Sequence, residues 1–352
     1  IGGLAGDAIT TGAQNTAVGR SALSAHTTAA NCVAVGYASL LNNTTGASNI
    51  AVGPNSIATN TTGAENIAMG DSALNKNTTG SNNTAIGSVA LYANTTASNN
   101  TAVGKDALVA NTTGTENNAF GVGALDSNTT GDENNAVGRG ALGANTTADG
   151  NNAFGDDALS LNVTGTGQTA FGHRALQYST ATDNTAMGHL AGDAATSAAG
   201  ITVVGKSAGS AITTGGDNTA IGKQALKTAT TGTENTAVGK DALEATTTAA
   251  NNTAVGVNAL ADNTTGPDNT AVGKGALESN TDGNNNVAMG TSALTTNVRG
   301  DRNTAIGFEA LATMNPSGDA DTNNTAVGQK ALTSNTTGTQ NVGIGSNAGD
   351  GI

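Results

Sequence analysis

The chain has 352 residues, of which 2% are aromatic and none is tryptophan, so its composition excludes a broad core of large side chains. Its formal net charge of −13 disfavours nucleic acid and anionic membrane surfaces as partners, because both require a basic face. No apolar run approaches the roughly 20 residues that span a bilayer, which argues against membrane insertion. The single cysteine, Cys32, excludes an intrachain disulfide.

A glycine recurs every seventeen residues from Gly2 to Gly345. Of the 20 intervals between these 21 glycines, 18 are 17 residues long, and the other two are 16 and 21. The phrase around each glycine is close to Asn-Thr-Ala-Val-Gly-x-x-Ala-Leu-x-x-Asn-Thr-Thr-Gly. Such a repeat is typical of stacked coils that contact only their neighbours. It predicts an all-β fold, a parallel β-solenoid (β-roll or β-helix) of about 20 coils that forms one continuous domain over residues 1–352.

The segment before each glycine is predicted to be a strand. The residue directly before the glycine is always apolar, as in Val18 and Val137, and is interpreted as a core stripe. The residue before that is nearly always alanine, as in Ala17. Because neighbouring strand residues face opposite ways, one column should face inward. The other should be an outward strip that contacts another chain or another face of the same assembly. On this interpretation Val137→Asp would disrupt stacking.

Further columns predict hydrogen-bonded and apolar stripes. Asparagine stands four residues before most of the glycines, and stacked identical amides form a hydrogen-bonded ladder. The Ala-Leu pair after the glycine predicts a second core stripe. Four coils have Ala-Gly instead, and in three of them an isoleucine follows three residues later: Ile9, Ile212 and Ile352. The fourth, with Ala195 there, is predicted to have a thin core.

The Thr-Thr-Gly segment that follows is predicted to be an outer turn. Both length changes fall in it, at residues 180–183 and 315–323, and turns tolerate insertions where stacked strands do not. The first glycine of the repeat is present in all 21 units, which indicates a positive φ angle or a close backbone approach. Seventeen residues suit two or three short strands per coil. Twenty coils rising by about 4.8 Å predict a rod of about 95–100 Å.

The phrase Asn15-Thr-Ala-Val-Gly19, followed by Ala22-Leu23, resembles the head repeats of trimeric autotransporter adhesins. It is similar also to the Asn-Thr-Ala-Ile-Gly repeats of phage tail-fibre-like and bacterial surface proteins. The resemblance covers nearly all of the chain and implies a left-handed parallel β-roll, three chains side by side, and attachment outside the cell. The seventeen-residue period is longer than that of the adhesin repeat, and the additional residues lie in Thr-Thr-Gly-x-x.

No set of convergent, unlike residues points to catalysis, a cofactor or a metal, so the chain is predicted not to be an enzyme and to need no cofactor. His173 and His189 follow their glycines in successive coils, and two exposed neighbours are favoured over a metal pair. Cys32 replaces a ladder asparagine and is interpreted as a small buried residue. Acidic residues before the ladder are interpreted as solvated charge rather than a Ca²⁺ site, and a lysine column after the glycine as a mixed-charge edge.

Sequons near the turn raise the question of glycosylation. The candidate acceptors are Asn43, Asn60, Asn94 and Asn128, and O-linked sugar on threonine is a second form of the same hypothesis. Turn and ladder chemistry is the competing explanation for these residues. An ice-binding face is disfavoured, because adjacent threonines such as Thr61 and Thr62 point in opposite directions.

Together these features predict a non-enzymatic extracellular or cell-surface protein that forms a fibre or filament in a matrix, surface coat or attachment structure. Self-association by end-to-end stacking is expected at Ile1, Ile9 and Ile352. The alternative is a trimeric adhesin or phage tail-fibre shaft that binds host-surface glycans. A β-helix polysaccharide lyase is disfavoured, because no cluster of Asp, Arg or Lys interrupts the repeat.

Overall fold

One parallel β-strand of three residues ends directly before the repeated glycine in coil after coil of this chain. The computed structural model describes residues 2–318 and 320–350, and the described residues contain strands and turns but no helix. The chain forms two compact units, Ile1–Arg174 and Ala175–Ile352. Each is built from the same coil, which confirms the predicted all-β parallel β-solenoid with a 17-residue repeat.

The first unit contains strands β1 to β10, stacked in chain order. Their bounds are Thr16–Val18, Val33–Val35, Ile50–Val52, Ile67–Met69, Thr84–Ile86, Thr101–Val103, Asn118–Phe120, Asn135–Val137, Asn152–Phe154 and Thr169–Phe171. Each residue pairs with its equivalent in the next coil, as Ala136 does with Ala119 and Ala153.

The second unit contains β11 to β22, and all but β18 and β20 stack in the same way. The bounds are Thr185–Met187, Thr202–Val204, Thr219–Ile221, Thr236–Val238, Thr253–Val255, Thr270–Val272, Val287–Met289, Gly300–Asp301, Thr304–Ile306, Ala320–Asp321, Thr325–Val327 and Val342–Ile344. The prediction of two or three strands per coil was too high, because most coils have one.

The longer interval leaves the strand register unchanged. Thr304 of β19 pairs with Thr325 of β21, although 21 residues separate them. The additional chain lies before β21, where the short strands β18 and β20 pair with each other. The shorter interval at residues 180–183 lies outside any strand. Both length changes therefore fall between the three-residue strands of the main stack, as stacking requires.

The alanine column, and not the column directly before the glycine, lines the interior. Ala136 is completely buried, whereas Val137 is 38% exposed. The same alternation holds along both units, where the middle strand residue is the buried one. The prediction that the Val18 and Val137 column forms a core stripe was therefore wrong. The interior is narrow, and alanine is the side chain that fits it.

The leucine column is buried as predicted, and its backbone adopts a left-handed conformation. Leu142 has a φ angle of 52° and no exposed surface. A positive φ costs an L residue about 1–2 kcal/mol, and burial of the side chain offsets that cost. Glycine adopts positive φ freely, which explains why it replaces leucine at Gly192 and Gly209, with φ angles of 57° and 55°.

The interior space left by those glycines is filled. A Cβ on Gly209 would lie 2.8 Å from Cδ1 of Ile212, which confirms the predicted exchange of leucine for isoleucine. A Cβ on Gly192 would lie 3.1 Å from Val203 Cγ2 and 3.6 Å from Ile201 Cδ1. The predicted thin core at Ala195 is therefore wrong, because two enlarged residues of the next coil occupy the space.

Two asparagine ladders run through the interior of the first unit. In the strand ladder, which precedes each strand, the Asn134 backbone N–H donates to Oδ1 of Asn117 at 3.0 Å. In the turn ladder, which precedes Thr-Thr-Gly, Nδ2 of Asn128 donates to Oδ1 of Asn111 at 2.9 Å. The sequence predicted the first ladder. The second explains why asparagine and isoleucine exchange at its position, since both point inward.

Candidate functional site

Each unit carries an outward row of apolar side chains, here named the apolar row. It is the strand residue directly before the repeated glycine. In the first unit eight of its ten members are 36–54% exposed, and Val35 and Val103 are half-buried. The members are Val18, Val35, Val52, Met69, Ile86, Val103, Phe120, Val137, Phe154 and Phe171. An outward apolar strip is therefore present, as expected, but the residues directly before the glycine form it and the alanines do not.

The second unit has its own row of the same kind. Met187, Ile221, Met289 and Ile306 are exposed there, and the intervening valines are exposed or half-buried. Rows of this length present on the order of several hundred Å² of apolar surface per unit, a size at which exposed patches mark interaction sites. No charged residue stands in either row or at the outward-facing position two residues before it.

The first unit's row changes character between β7 and β10. Asn118, Asn135 and Asn152 take the outward position that is threonine in most other coils, and they form a third ladder with Nδ2–Oδ1 distances of 2.9 Å. The rings of Phe154 and Phe171 stack with centroids 5.7 Å apart. Three of the chain's four phenylalanines lie in this stretch. This combination of amides and rings was visible as a departure from the repeat, and sequence reasoning missed it.

An ion-pair cluster borders that stretch. Ligand-type atoms of Asp156, Asp157 and His173 lie within 4.8 Å of one another. Nη2 of Arg139 contacts Oδ2 of Asp156 at 2.9 Å and Oδ2 of Asp157 at 3.6 Å. The hydrogen bond that Arg139 donates to Asp156 raises the pKa of Arg139, so the guanidinium stays charged and offsets both carboxylates. The chemistry is that of an exposed salt bridge, and we assign no metal to it.

Two further histidines have different environments. His189 is exposed in the second unit. His26 is completely buried and takes the place of a turn-ladder asparagine. Nδ2 of Asn43 lies 3.0 Å from its Nδ1, and the Ala29 carbonyl oxygen lies 2.9 Å from its Nε2, so these contacts match the tautomer that carries its proton on Nε2. The imidazole thus supplies the acceptor and the donor that an asparagine amide would supply.

Cys32 replaces an asparagine of the strand ladder, as the sequence predicted. The residue is buried, and its Sγ lies 3.4 Å from the Gly46 carbonyl oxygen, which ladder amides contact in other coils. Burial raises the pKa of the Cys32 thiol. A protonated thiol is a poor nucleophile, so the geometry gives Cys32 a structural role.

We expect Cys32 to react with a thiol-specific disulfide reagent at least about 100-fold more slowly in the folded than in the unfolded chain, because it must first open locally. The pKa of the Cys32 thiol is raised in the folded chain. The contribution of the thiol to the free energy of unfolding is therefore complete below the ordinary thiol pKa and is lost as pH rises through the raised pKa. The rate at which the absorbance of the reagent changes measures the reactivity of the thiol. An exposed thiol, Thr45→Cys in a Cys32→Ser background, should react rapidly; equal rates for the two positions would contradict burial.

The predicted glycosylation acceptors lie inside the fold. Asn43, Asn60, Asn94 and Asn128 are completely buried members of the turn ladder. Nδ2 of Asn128, for example, donates to Asn111 and also to the Gly131 carbonyl oxygen at 3.0 Å. These asparagines lie directly before the turn, as predicted, but their side chains point inward, which favours turn and ladder chemistry as their explanation. A glycan on Nδ2 would need space and hydrogens that the ladder already uses.

The predicted end contacts are only partly within the described structure. Ile1 and Ile352 lie outside the described residues. Ile9 is half-buried, and its Cδ1 fills the space beside Gly6, at 3.0 Å from a Cβ placed there. Its placement matches the exchange of leucine for isoleucine in the interior.

Comparison with protein-family models and with curated protein sequences gave no match to this chain. A search of the described residues for a helix of sufficient length and apolarity to cross a membrane found none.

Proposed function

We propose that this protein is a non-enzymatic structural protein that associates with copies of itself through the apolar row and builds an extracellular fibre or attachment structure. The observation that carries the proposal is the row itself. Large apolar side chains stand on an outward strand face in each coil from β1 to β17 and in β19, β21 and β22, half-buried or exposed and in register. Scattered exposed hydrophobic residues need no explanation, but contiguous rows do.

A second copy of this chain is the partner that fits the row best. The row has one side chain per coil, so its ridges recur at the interstrand spacing of about 4.8 Å. A surface with the same period and no charge is required to interdigitate with it, and another apolar row meets both conditions. The net charge of −13 opposes association at long range, and salt screens that repulsion beyond about 8–10 Å.

Stacking of copies end to end, expected at Ile1, Ile9 and Ile352, remains a prediction. It is supported by the regular bonding between coils, in which the Gly138 N–H donates to the Phe120 carbonyl oxygen and the Gly155 N–H to that of Val137, both at 2.8 Å. Lateral contact and axial stacking together would give a fibre. Lateral contact of three copies alone would give a discrete shaft, the alternative that the adhesin resemblance implies.

The apolar row is tested by placing three charges in it. We expect Ile86→Glu, Val103→Glu and Phe120→Glu combined to weaken self-association by roughly 150-fold, because each partly covered side chain contributes about 1 kcal/mol. Analytical ultracentrifugation and electron microscopy of the full chain give the association constant and the form of the assembly. Circular dichroism should be unchanged, since the side chains point outward.

A matched control adds the same charge elsewhere in the same coils. Thr96→Glu, Thr113→Glu and Thr130→Glu place it at exposed turn positions and should leave association intact. Continuous filaments support the fibre, and discrete three-chain rods support the adhesin or tail-fibre shaft. If the wild-type chain remains monomeric at high concentration, or the triple variant associates as the control does, the proposal is wrong.

A further inference from the structure

The two threonines of each Thr-Thr-Gly turn have different environments. We name the threonines at the second position of this turn the outer threonines, including Thr164, which follows Val163. They are Thr11, Thr28, Thr45, Thr62, Thr79, Thr96, Thr113, Thr130, Thr147 and Thr164 in the first unit, and Thr214, Thr231, Thr248, Thr265 and Thr337 in the second. All of them are exposed, and within the described chain their hydroxyl groups make no hydrogen bond to protein.

The first threonine of the pair is occupied structurally. Oγ1 of Thr112 donates to the Thr129 carbonyl oxygen at 3.0 Å, and Oγ1 of Thr129 donates to the Thr146 carbonyl oxygen at 3.0 Å. This bond recurs in successive coils and ties the turns together. Neighbouring side chains of identical chemistry therefore differ in one respect: the inner hydroxyl is engaged, and the outer one is available.

The fold does not require threonine at the outer position. Asp282 and Arg299 stand there in two coils of the second unit. The coil with Asp282 keeps its turn: Oγ1 of Thr281 donates to the Val298 carbonyl oxygen at 3.2 Å, and Nδ2 of Asn280 donates to the Gly283 carbonyl oxygen at 2.9 Å. Acidic and basic side chains serve equally, so the recurrence of threonine, ten coils in succession in the first unit, asks for another explanation.

We propose that the outer threonines are the attachment sites of O-linked sugars. In the attachment step Oγ1 attacks the anomeric carbon of an activated sugar. The bond from that carbon to a diphosphate leaving group breaks, and the hydroxyl proton passes to a base of the transferase. The acceptor needs an exposed hydroxyl on a turn, which each outer threonine supplies. The sequon asparagine two residues earlier does not, because it is buried in the turn ladder.

A sugar fits this row better than a phosphate group does. Successive outer threonines lie one coil apart, about 4.8 Å by the interstrand spacing. Each phosphate carries about −1.5 to −2 charges, so ten of them would add roughly −15 to −20 to one unit of a chain whose net charge is already −13. Like charges at that spacing repel strongly. A neutral sugar adds bulk and hydroxyl groups without charge.

The test is site-resolved mass spectrometry of the native protein, with fragmentation that preserves side-chain modifications. We expect the masses of sugar residues on Thr113 and Thr130, and none on Thr112 and Thr129. In the source cells, Thr130→Val should remove the sugar from that turn, and the matched control Thr129→Val should retain it on Thr130. Both inner and outer variants preserve the β-branched shape of the turn.

Three results would overturn the proposal. The first is a native chain whose mass equals that of the bare sequence. The second is phosphate in place of sugar on the outer threonines. The third is sugar on the inner threonines or on the ladder asparagines to the same extent as on the outer threonines. The sugar readout does not depend on self-association, so the function proposed above and this assignment can fail separately.

Discussion

We expect Ala136→Asp to lower the free energy of unfolding of the first unit by several kcal/mol, whereas Val137→Asp, one residue away, costs less than about 1 kcal/mol. Ala136 has no exposed surface and lies between Ala119 and Ala153 in the stack. A carboxylate there loses its hydration without gaining a partner. The side chain at Val137 points outward, so the same carboxylate remains in water.

Repeat arrays do not unfold as one unit, so the measurement has to be local. Hydrogen exchange followed by mass spectrometry should show lost protection in β7, β8 and β9 of the Ala136→Asp variant, with protection of β1 and β2 retained. The Val137→Asp variant is the matched control, because it places the same residue on the same strand. If both variants lose protection alike, the assignment of inward and outward faces is wrong.

The facing of the strand was the main error of the sequence-based prediction, and its cause is physical. Valine is more hydrophobic than alanine, so the valine column was assigned to the core. The interior, however, is shared by a leucine column and two asparagine ladders, and only alanine fits beside them. Side-chain size in the two columns indicates the correct facing. The outward column accepts Val, Ile, Met and Phe, as at Phe120, and only open space accommodates such variation.

Where a coil lacks the buried leucine, another inward column is enlarged in compensation. Val203 is an enlarged member of the alanine column, and it stands beside Gly192 and Gly209, where leucine is lost. The prediction recognised one such exchange, at Ile212, because both residues lie in one coil. It missed the exchange at Gly192, because the compensating residues lie in the next coil. Pairing between coils is a property of the stack, and a single repeat does not contain it.

The candidate sites, too, divide into features that the sequence predicted and features that only the stacked coils show. The strand ladder and the role of Cys32 followed from composition at a fixed position, and the structure confirmed the ladder and the burial of Cys32. For the sequon asparagines the sequence left two explanations open, because Asn-x-Thr near a turn also resembles an accessible acceptor. The turn ladder uses that asparagine internally and exposes the threonine two residues later. Sequence spacing gives the column, and only the fold gives the direction in which it points.

The repeated glycine is the second position at which a single substitution should have a large effect. We expect Gly138→Ala to destabilise its coil by at least about 3 kcal/mol. Gly138 has a φ angle of 137°, which L residues rarely adopt, and this strain alone costs about 1–3 kcal/mol. A Cβ there would also lie 2.4 Å from the Gly155 carbonyl oxygen, and that atom belongs to the backbone of the next coil. The backbone can relieve the clash only by separating two stacked coils.

Gly150→Ala provides the comparison within the same unit. Gly150 has a φ angle of 68°, but a Cβ placed on it meets no atom within 4 Å. Residues with side chains occupy the equivalent position in other coils at similar angles, such as Glu65 at 58° and Glu133 at 59°. We therefore expect a cost of about 1 kcal/mol, with exchange protection retained across β8 and β9. Equal losses in both variants would mean that backbone conformation, rather than close approach of the coils, selects glycine. A loss confined to Gly138→Ala would show that the close approach of neighbouring coils requires glycine at this position of the repeat.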